Sequence, residues 1–253
     1  MSIRTLAEFH RKAKKLSRLL PNGAYRRGLY HGIGAAIEHE SALAALDIRT
    51  VVDIGANVGQ FSLLATSIYP DARIYAFEPQ PQPATRFSAL FSDIERVTLF
   101  RFAVGTQSGK IAMHVSRQND SSSLLPISQN MTEIFPGTDE IGITDVEIAP
   151  LLSFLKPEQI VGPALLKIDV QGAELDVLLG CRELLKFFRY VYAELSFVEL
   201  YTGQALCHDV VRFLGDHDLY LAGIYNQRQD VHGRAIQADF LFLRSSQTAG
   251  LNS

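Results

Sequence analysis

The feature that most constrains this chain is the run from Thr50 to Gly59. The β-branched segment Thr50 to Ile54 meets the turn Asp53-Ile54-Gly55-Ala56-Asn57-Val58-Gly59, and helical spacing starts at Val58. A strand that turns on glycines straight into a helix is a β–α unit, and further units follow. Helical spacing covers Val58 to Tyr69, and Arg73 to Phe77 reads as a strand. Pro83 to Ser92 reads as a helix, Val97 to Val104 as a strand, and Lys110 to Val115 alternates as a strand would. Later come the strand Leu165 to Val170, the helix Glu174 to Leu185, the strand Tyr190 to Leu195 and the helix Leu206 to Leu214. The closing strands Leu219 to Ile224 and Ala238 to Leu243 are joined by the polar stretch Asn226 to Arg234. Strand–helix alternation implies an α/β, doubly wound, mostly parallel sheet with helices on both faces. The last pair, with no helix between, reads as an antiparallel hairpin. Gln118 to Ile141 breaks the order as a long polar segment containing Asn119-Asp120-Ser121-Ser122-Ser123, read as a loop that closes over a site or as a flexible exposed one.

With 253 residues and 47% of them hydrophobic, the chain suits one large α/β domain over 46–245, with a helical appendage over 1–45 and a flexible tail over 246–253. In the appendage, Leu6, Phe9, Ala13, Leu16, Leu19 and Leu20 share one helical face; Arg11, Lys12, Lys14, Lys15 and Arg18 occupy the other. That pattern packs on the domain with its basic side in water, or serves as an arm for a partner or an anionic surface. A second helical stretch runs through Ile33, Ala36, Ile37, Leu43 and Leu46. A formal net charge of -3 argues against nucleic acid as a partner. Cys181 and Cys207 match no metal spacing and cannot form a disulfide framework, so a cytoplasmic setting is expected. No apolar run suits a membrane span or a signal-peptide core. The oligomeric state is open, a homodimer included.

In a doubly wound sheet, ligands bind beyond the carboxyl ends of the strands, where the Asp53–Gly59 turn lies. Gly55 allows a sharp turn and close ligand approach, and Gly59 allows close helix packing. The free N–H groups at the helix start accept an anion, the methionine carboxylate of S-adenosylmethionine or the pyrophosphate of NAD. Asp53 suits the amino group of that methionine. Glu78, followed by Pro79, ends the next strand, where a carboxylate accepts bonds from both ribose hydroxyls. The dinucleotide signature wants glycine where this chain has Asn57, whose side chain crowds a pyrophosphate, so the turn favours S-adenosylmethionine.

Five segments in this order, VVDIGANVGQFS (Val51 to Ser62), AFEP (Ala76 to Pro79), AVG (Ala103 to Gly105), SSSL (Ser121 to Leu124) and LLKIDVQGAELDVLLG (Leu165 to Gly180), resemble the FkbM family of class I methyltransferases. The resemblance covers about residues 45 to 245 and implies a Rossmann-like, seven-stranded sheet with a reversed last strand. It also implies S-adenosylmethionine as methyl donor and a hydroxyl acceptor, a sugar, glycolipid or polyketide-type natural product. By position it places Asp53, Gly55, Ala56, Asn57 and Gly59 at the methionine end, Glu78 and Pro79 at the ribose, and Ala103 and Val104 beside the adenine. Gln171 departs from the family, which commonly has glutamate there.

Methyl transfer is an in-line displacement, so the protein must align the acceptor and handle its proton. Asp169 ends its strand and is either the residue beside the methyl group or the cap of the next helix. Lys167, on the same side of that strand, either neutralises Asp169 or touches ligand. Glu194 ends the next strand; Asp169 with Glu194 would pinch a divalent cation between neighbouring tips, were one used, or Glu194 hydrogen-bonds the acceptor or a loop. Glu174 reads as a charge in the first turn of its helix. His114, His208 and His232 are the histidines weighed as bases, against ordinary surface or structural roles, and Tyr201 and Tyr225 either line a pocket or pack. Two competing functions stay open: a non-catalytic S-adenosylmethionine-binding domain and an NAD-dependent oxidoreductase.

Overall fold

A computed structural model describes residues 22–245; the basic amphipathic stretch expected over 4–20 and the tail over 246–253 lie outside them. Asn22 caps the first helix, α1 (Gly23–Tyr30), its Oδ1 accepting from Ala24 N at 2.9 Å. The helical stretch expected through Ile33 to Leu46 is only a 3-10 turn, Ile37–His39, running into the single turn α2 (Glu40–Leu43).

The β–α alternation then unfolds as β1 (Thr50–Ile54), α3 (Gln60–Ile68), β2 (Arg73–Phe77), α4 (Pro81–Leu90) and β3 (Val97–Phe100). After an excursion come β7 (Ala164–Ile168), α6 (Glu174–Gly180), β8 (Tyr190–Ser196), α7 (Cys207–Gly215), β9 (Leu219–Gln229) and β10 (Ala235–Arg244). These strands form a seven-stranded sheet of order β3-β2-β1-β7-β8-β10-β9. All pairings are parallel except those of β10, which runs against both β8 and β9. The sheet is thus the doubly wound one with a reversed final strand. The chain enters at its middle, walks outward through β2 and β3, and returns to β7 on the other flank. The crevice where the order reverses, between β1 and β7, is where such sheets take ligands.

The excursion is a second sheet of three strands, ordered β4-β6-β5, from β4 (Ala103–Val104), β5 (Gly109–Ser116) and β6 (Glu140–Ala149). The single strand expected over Val97 to Val104 is therefore two, because the chain leaves one sheet after Phe100 and joins the other at Ala103. The segment expected to be a loop holds a 3-10 turn at Asn119–Ser121 and α5 (Gln129–Ile134), and its end starts β6. β6 carries no buried stripe at its start: Ile141 and Ile143 are 56% and 60% exposed, so apolar alternation there marks no core face.

Strands β1 and β7 are buried along their whole length, as central parallel strands are. On one face Val51, Leu165, Tyr192 and Leu241 pack with Phe61 and Ala65 of α3. Side chains alternate, so on the strands that leave the core, Asp53, Lys167 and Glu194 stand two residues further along that face, and Asp239 two residues back on the reversed β10. The same face that is apolar at mid-sheet becomes a row of ionisable groups at the tips.

Candidate functional site

Over those tips opens a cavity of about 950 Å³. Its walls include Gly55, Ala56 and Asn57 after β1, Glu78 and Pro79 after β2, Ala103 and Val104 of β4, and Lys167, Asp169 and Glu194. Most of the residues expected at a cofactor site are thereby brought to one space by four separate strands and the appended sheet.

Asp53 and Gly59 are the exceptions; neither lines the cavity. Asp53 is fully buried, with Oδ2 accepting from Ser62 Oγ at 2.7 Å and Oδ1 facing Lys167 Nζ at 3.1 Å, an ion pair whose alignment falls short of a hydrogen bond. Both of its oxygens therefore face the protein's own groups, Ser62 and Lys167. Lys167 also donates to Gly55 O at 3.0 Å and lies 3.7 Å from Asp169 Oδ2. Burial alone would lower the pKa of this lysine, but Asp53 and Asp169 outweigh it and the net shift is upward, so the ammonium stays charged. Of the two sequence readings of Lys167, the structure shows neutralisation, shared between two carboxylates, while its place in the cavity wall leaves the ligand contact open.

Gly55 has φ +77, and a Cβ there would lie 1.8 Å from Asp169 O. The glycine is demanded by the tip of β7 as much as by any ligand. Gly59, with φ +98, has Phe91 and Phe87 where its Cβ would be, at 2.6 and 3.0 Å, which is the close helix packing expected of it. Asn57 is left-handed at φ 47, and its N–H donates to Glu78 Oε2 at 2.9 Å; Gln80 N–H donates to Glu78 Oε1 at 2.8 Å. Burial pushes the Glu78 pKa up to about 7 against the pull of those donors and of Lys167. Each carboxylate oxygen keeps a lone pair for a further donor.

Asp169 does not cap the next helix. Ala173 holds that position, and Glu174 Oε1 closes the turn by accepting from Val170 N at 3.3 Å and Gly172 N at 3.0 Å. Glu174 is buried, which raises its pKa to about 7. It lies in the helix's first turn as its spacing places it, and there it is a buried internal brace. Asp169 instead joins Glu194 around the side chain of Gln171. The Gln171 amide donates to Asp169 Oδ1 at 2.7 Å and to Glu194 Oε2 at 3.0 Å, and Gln237 donates to Glu194 Oε1 at 2.8 Å. Burial, then the charges of Asp169 and Asp239, push the Glu194 pKa well above the carboxylate range. Between Asp169 and Glu194, the pair read as able to hold a cation were one used, lies the neutral Gln171 amide. Among the described residues no group of three or more His, Cys, Asp and Glu is arranged for a metal ion.

The serine segment forms part of the cavity wall through Asn119, Asp120, Ser121 and Ser122. Ser123 pairs with His114 in both backbone directions, at 2.8 and 3.1 Å, and its hydroxyl donates to Gln171 O at 2.5 Å. The Tyr201 hydroxyl lies 3.0 Å from Ser121 O and 2.9 Å from Gln171 Oε1. Tyr201 is buried beneath the segment, and Tyr225 packs against the core; neither lines the cavity. His114, His208 and His232 are also absent from the wall. His114 pairs with Glu140 at 2.8 Å and His208 with Asp209 at 3.5 Å. The histidine that does line the cavity is His39, with Asn226, Gln237 and Asp239. No motif surrounds it; its one signal is a place shortly before β1, on the chain that covers the tips.

Among known proteins, the chain is 29% identical over 175 residues to 2-O-methyltransferase NoeI of Sinorhizobium fredii, covering 67% of this chain and 72% of that one. It is 32% identical over 159 residues to methyltransferase sdnD of Sordaria araneosa, covering 53% of this chain and 60% of that one. It is 26% identical over 147 residues to hexuronic acid methyltransferase AglP of Haloferax volcanii, covering 56% and 54%. A family model, the methyltransferase FkbM domain, matches residues 53–221. With the strand order, the glycine turn and that match in agreement, the chain belongs to the FkbM family of methyltransferases.

Proposed function

We propose that this chain transfers a methyl group from S-adenosylmethionine to a hydroxyl of a small molecule, with a sugar or glycolipid ahead of a polyketide-type acceptor. The observation that carries the reading is the continuity of one cavity from Glu78 to Glu194. One end suits a nucleoside and the other a polyhydroxylated partner. The two buried Glu78 oxygens, each with a spare lone pair, suit the two ribose hydroxyls. Ala103 and Val104 offer an apolar ledge for the adenine, and the start of α3 faces the amino-acid end. Bound there, the sulfonium supplies an activated methyl group, so the chain's own work is alignment and proton handling. The opposite wall of Glu194, Gln237, Asp239 and Asn226 is rich in side-chain donors and acceptors, the complement of vicinal hydroxyls. The sugar preference is supported by that wall and by the hexuronic acid named for one relative.

Calorimetric titration of the protein with S-adenosylmethionine and, separately, NAD tests the donor. Binding of the first alone is expected, and binding of NAD alone would overturn the reading. Release of S-adenosylhomocysteine on incubation with methyl glucoside or methyl glucuronoside then tests the acceptor class. Release with a polyketide-type phenol, but with neither glycoside, would remove the sugar preference.

A further inference from the structure

His39 closes the 3-10 turn Ile37–His39, and its ring stands edge-on between Phe61 of α3 and Tyr192 of β8, with centroids 5.7 and 5.5 Å away. Its Nδ1 lies 3.1 Å from Asp239 Oδ2 and 3.0 Å from Tyr192 Oη. Asn226 Nδ2 approaches the same nitrogen at 3.3 Å but makes its shorter bond, 2.7 Å, to Asp239 Oδ2. The side chain of Asp239 is 9% exposed and that of His39 is 20% exposed. A buried carboxylate therefore backs an imidazole that reaches the cavity. The 3.1 Å approach is not aligned as a hydrogen bond, and Nδ1 is bonded to Tyr192 Oη. An ionised carboxylate only accepts, however, and the charge of Asp239 favours the tautomer with its proton on Nδ1 and a lone pair on Nε2. Among the described residues Nε2 has no protein partner, and His39 lines the same cavity as Asn57, Glu78 and Asp169.

A base held by a third group, with its free nitrogen toward the reactants, is the arrangement that proton abstraction requires. Glu194 is less free, since each of its oxygens is already held by a side-chain amide, Gln171 at 3.0 Å and Gln237 at 2.8 Å. Lys167 is charged and engaged with Asp53 and Gly55.

We propose that His39, oriented by Asp239, is the base that receives the proton of the acceptor hydroxyl, a role that rests on the methyl-transfer reading. As the acceptor oxygen forms its bond to the methyl carbon, the carbon–sulfur bond breaks and its electron pair stays on sulfur, which loses its positive charge. The hydroxyl proton passes to His39 Nε2, and the resulting imidazolium faces the Asp239 carboxylate. Charge is conserved within the cavity without an additional reactant.

Nitrogen-15 NMR of the full chain reads the ring directly, with His39→Gln providing the assignment. The wild type is expected to show the Nδ1–H tautomer, and Asp239→Asn to shift the population toward Nε2–H. A wild-type ring protonated on Nε2 overturns the proposal. With whichever of methyl glucoside and methyl glucuronoside is turned over, His39→Gln is expected to lower kcat by roughly 10²–10⁴-fold. S-adenosylmethionine affinity, measured by calorimetry, should stay within about twofold, which separates a lost base from a damaged fold. A kcat retained within about twofold overturns the assignment. If neither glycoside is methylated, the tautomer decides alone. A wild type that binds no S-adenosylmethionine sinks the underlying reading, and this one with it.

Discussion

Glu174 shows how much burial adds to a residue whose position the sequence already places. The sequence reads it as a first-turn charge placed to suit the helix dipole, and it does lie in that turn. Here it is buried and accepts two backbone N–H groups, with its pKa raised from 4.5 to about 7. The sign of the pH effect follows. In the unfolded chain the group loses its proton near its ordinary value, while in the folded chain it holds the proton to about 7. Its contribution to stability is therefore complete below the unfolded pKa, declines as pH rises toward 7, and is flat above. At 1.36 kcal/mol per pKa unit, the decline amounts to about 3 kcal/mol. Glu174→Gln keeps an acceptor for the turn and removes the titration, so urea unfolding between pH 4.5 and 7.5 should show a shallower loss in the variant. Curves that run parallel would falsify this account. The motif residues were more legible: Asn57, Glu78 and Asp169 meet where their spacing places them, because β–α turns at neighbouring tips have few alternatives. Asp53 and His39 were not, since which way a side chain turns at a tip depends on partners such as Ser62, Lys167 and Asp239 that come from distant segments.

At the scale of elements, the central sheet was readable because each buried strand carries a continuous apolar run and each crossover a helical period. The appended sheet was not. Its strands β5 and β6 pair with each other over solvent-facing positions, and β4 is a two-residue bridge whose partner lies over forty residues away in sequence. Its functional consequence is the serine segment, which returns from β5 and is fastened to the β7 tip by few contacts. Tyr201 is central among them: one hydroxyl proton is shared by Ser121 O and Gln171 Oε1. Tyr201→Phe leaves two acceptors unmet in a buried place, at a cost of about 1–3 kcal/mol. The loss should appear locally before it appears globally. Amide exchange at Ser123 and Leu125 is expected to speed up by roughly 10-fold, while β1 and β7 amides follow only the global change. Equal acceleration everywhere would mean that the tyrosine supports the core and not the segment. The rearranged Gln171 should also loosen its hold on Asp169 and Glu194, linking the wall of the cavity to its floor.

For the molecule as a whole, the cavity is the place where otherwise separate parts meet. Glu78 belongs to the β1–β2 flank, Asp169 and Glu194 to the β7–β8 flank, Val104 to the appended sheet, and His39 to the segment before β1. A ligand that touches all of them binds the folded chain and has nothing to hold in the unfolded one. S-adenosylmethionine at 100 times its Kd should therefore stabilise the protein by about 2.7 kcal/mol, growing with the logarithm of concentration. Glu78→Gln removes the carboxylate proposed to hold the ribose, and a hydrogen bond to a charged group is worth about 1.5–3 kcal/mol, or roughly 10–100-fold in Kd. The substitution also turns one acceptor toward a backbone N–H into a donor, so the unliganded variant should be less stable for a reason unrelated to binding. The quantity to compare is accordingly the increment that a fixed ligand concentration adds to the unfolding free energy, not the midpoint itself. A smaller increment in Glu78→Gln, restored by raising the ligand concentration by the same factor that Kd has risen, places the ribose at Glu78. An unchanged increment puts the nucleoside elsewhere in the cavity.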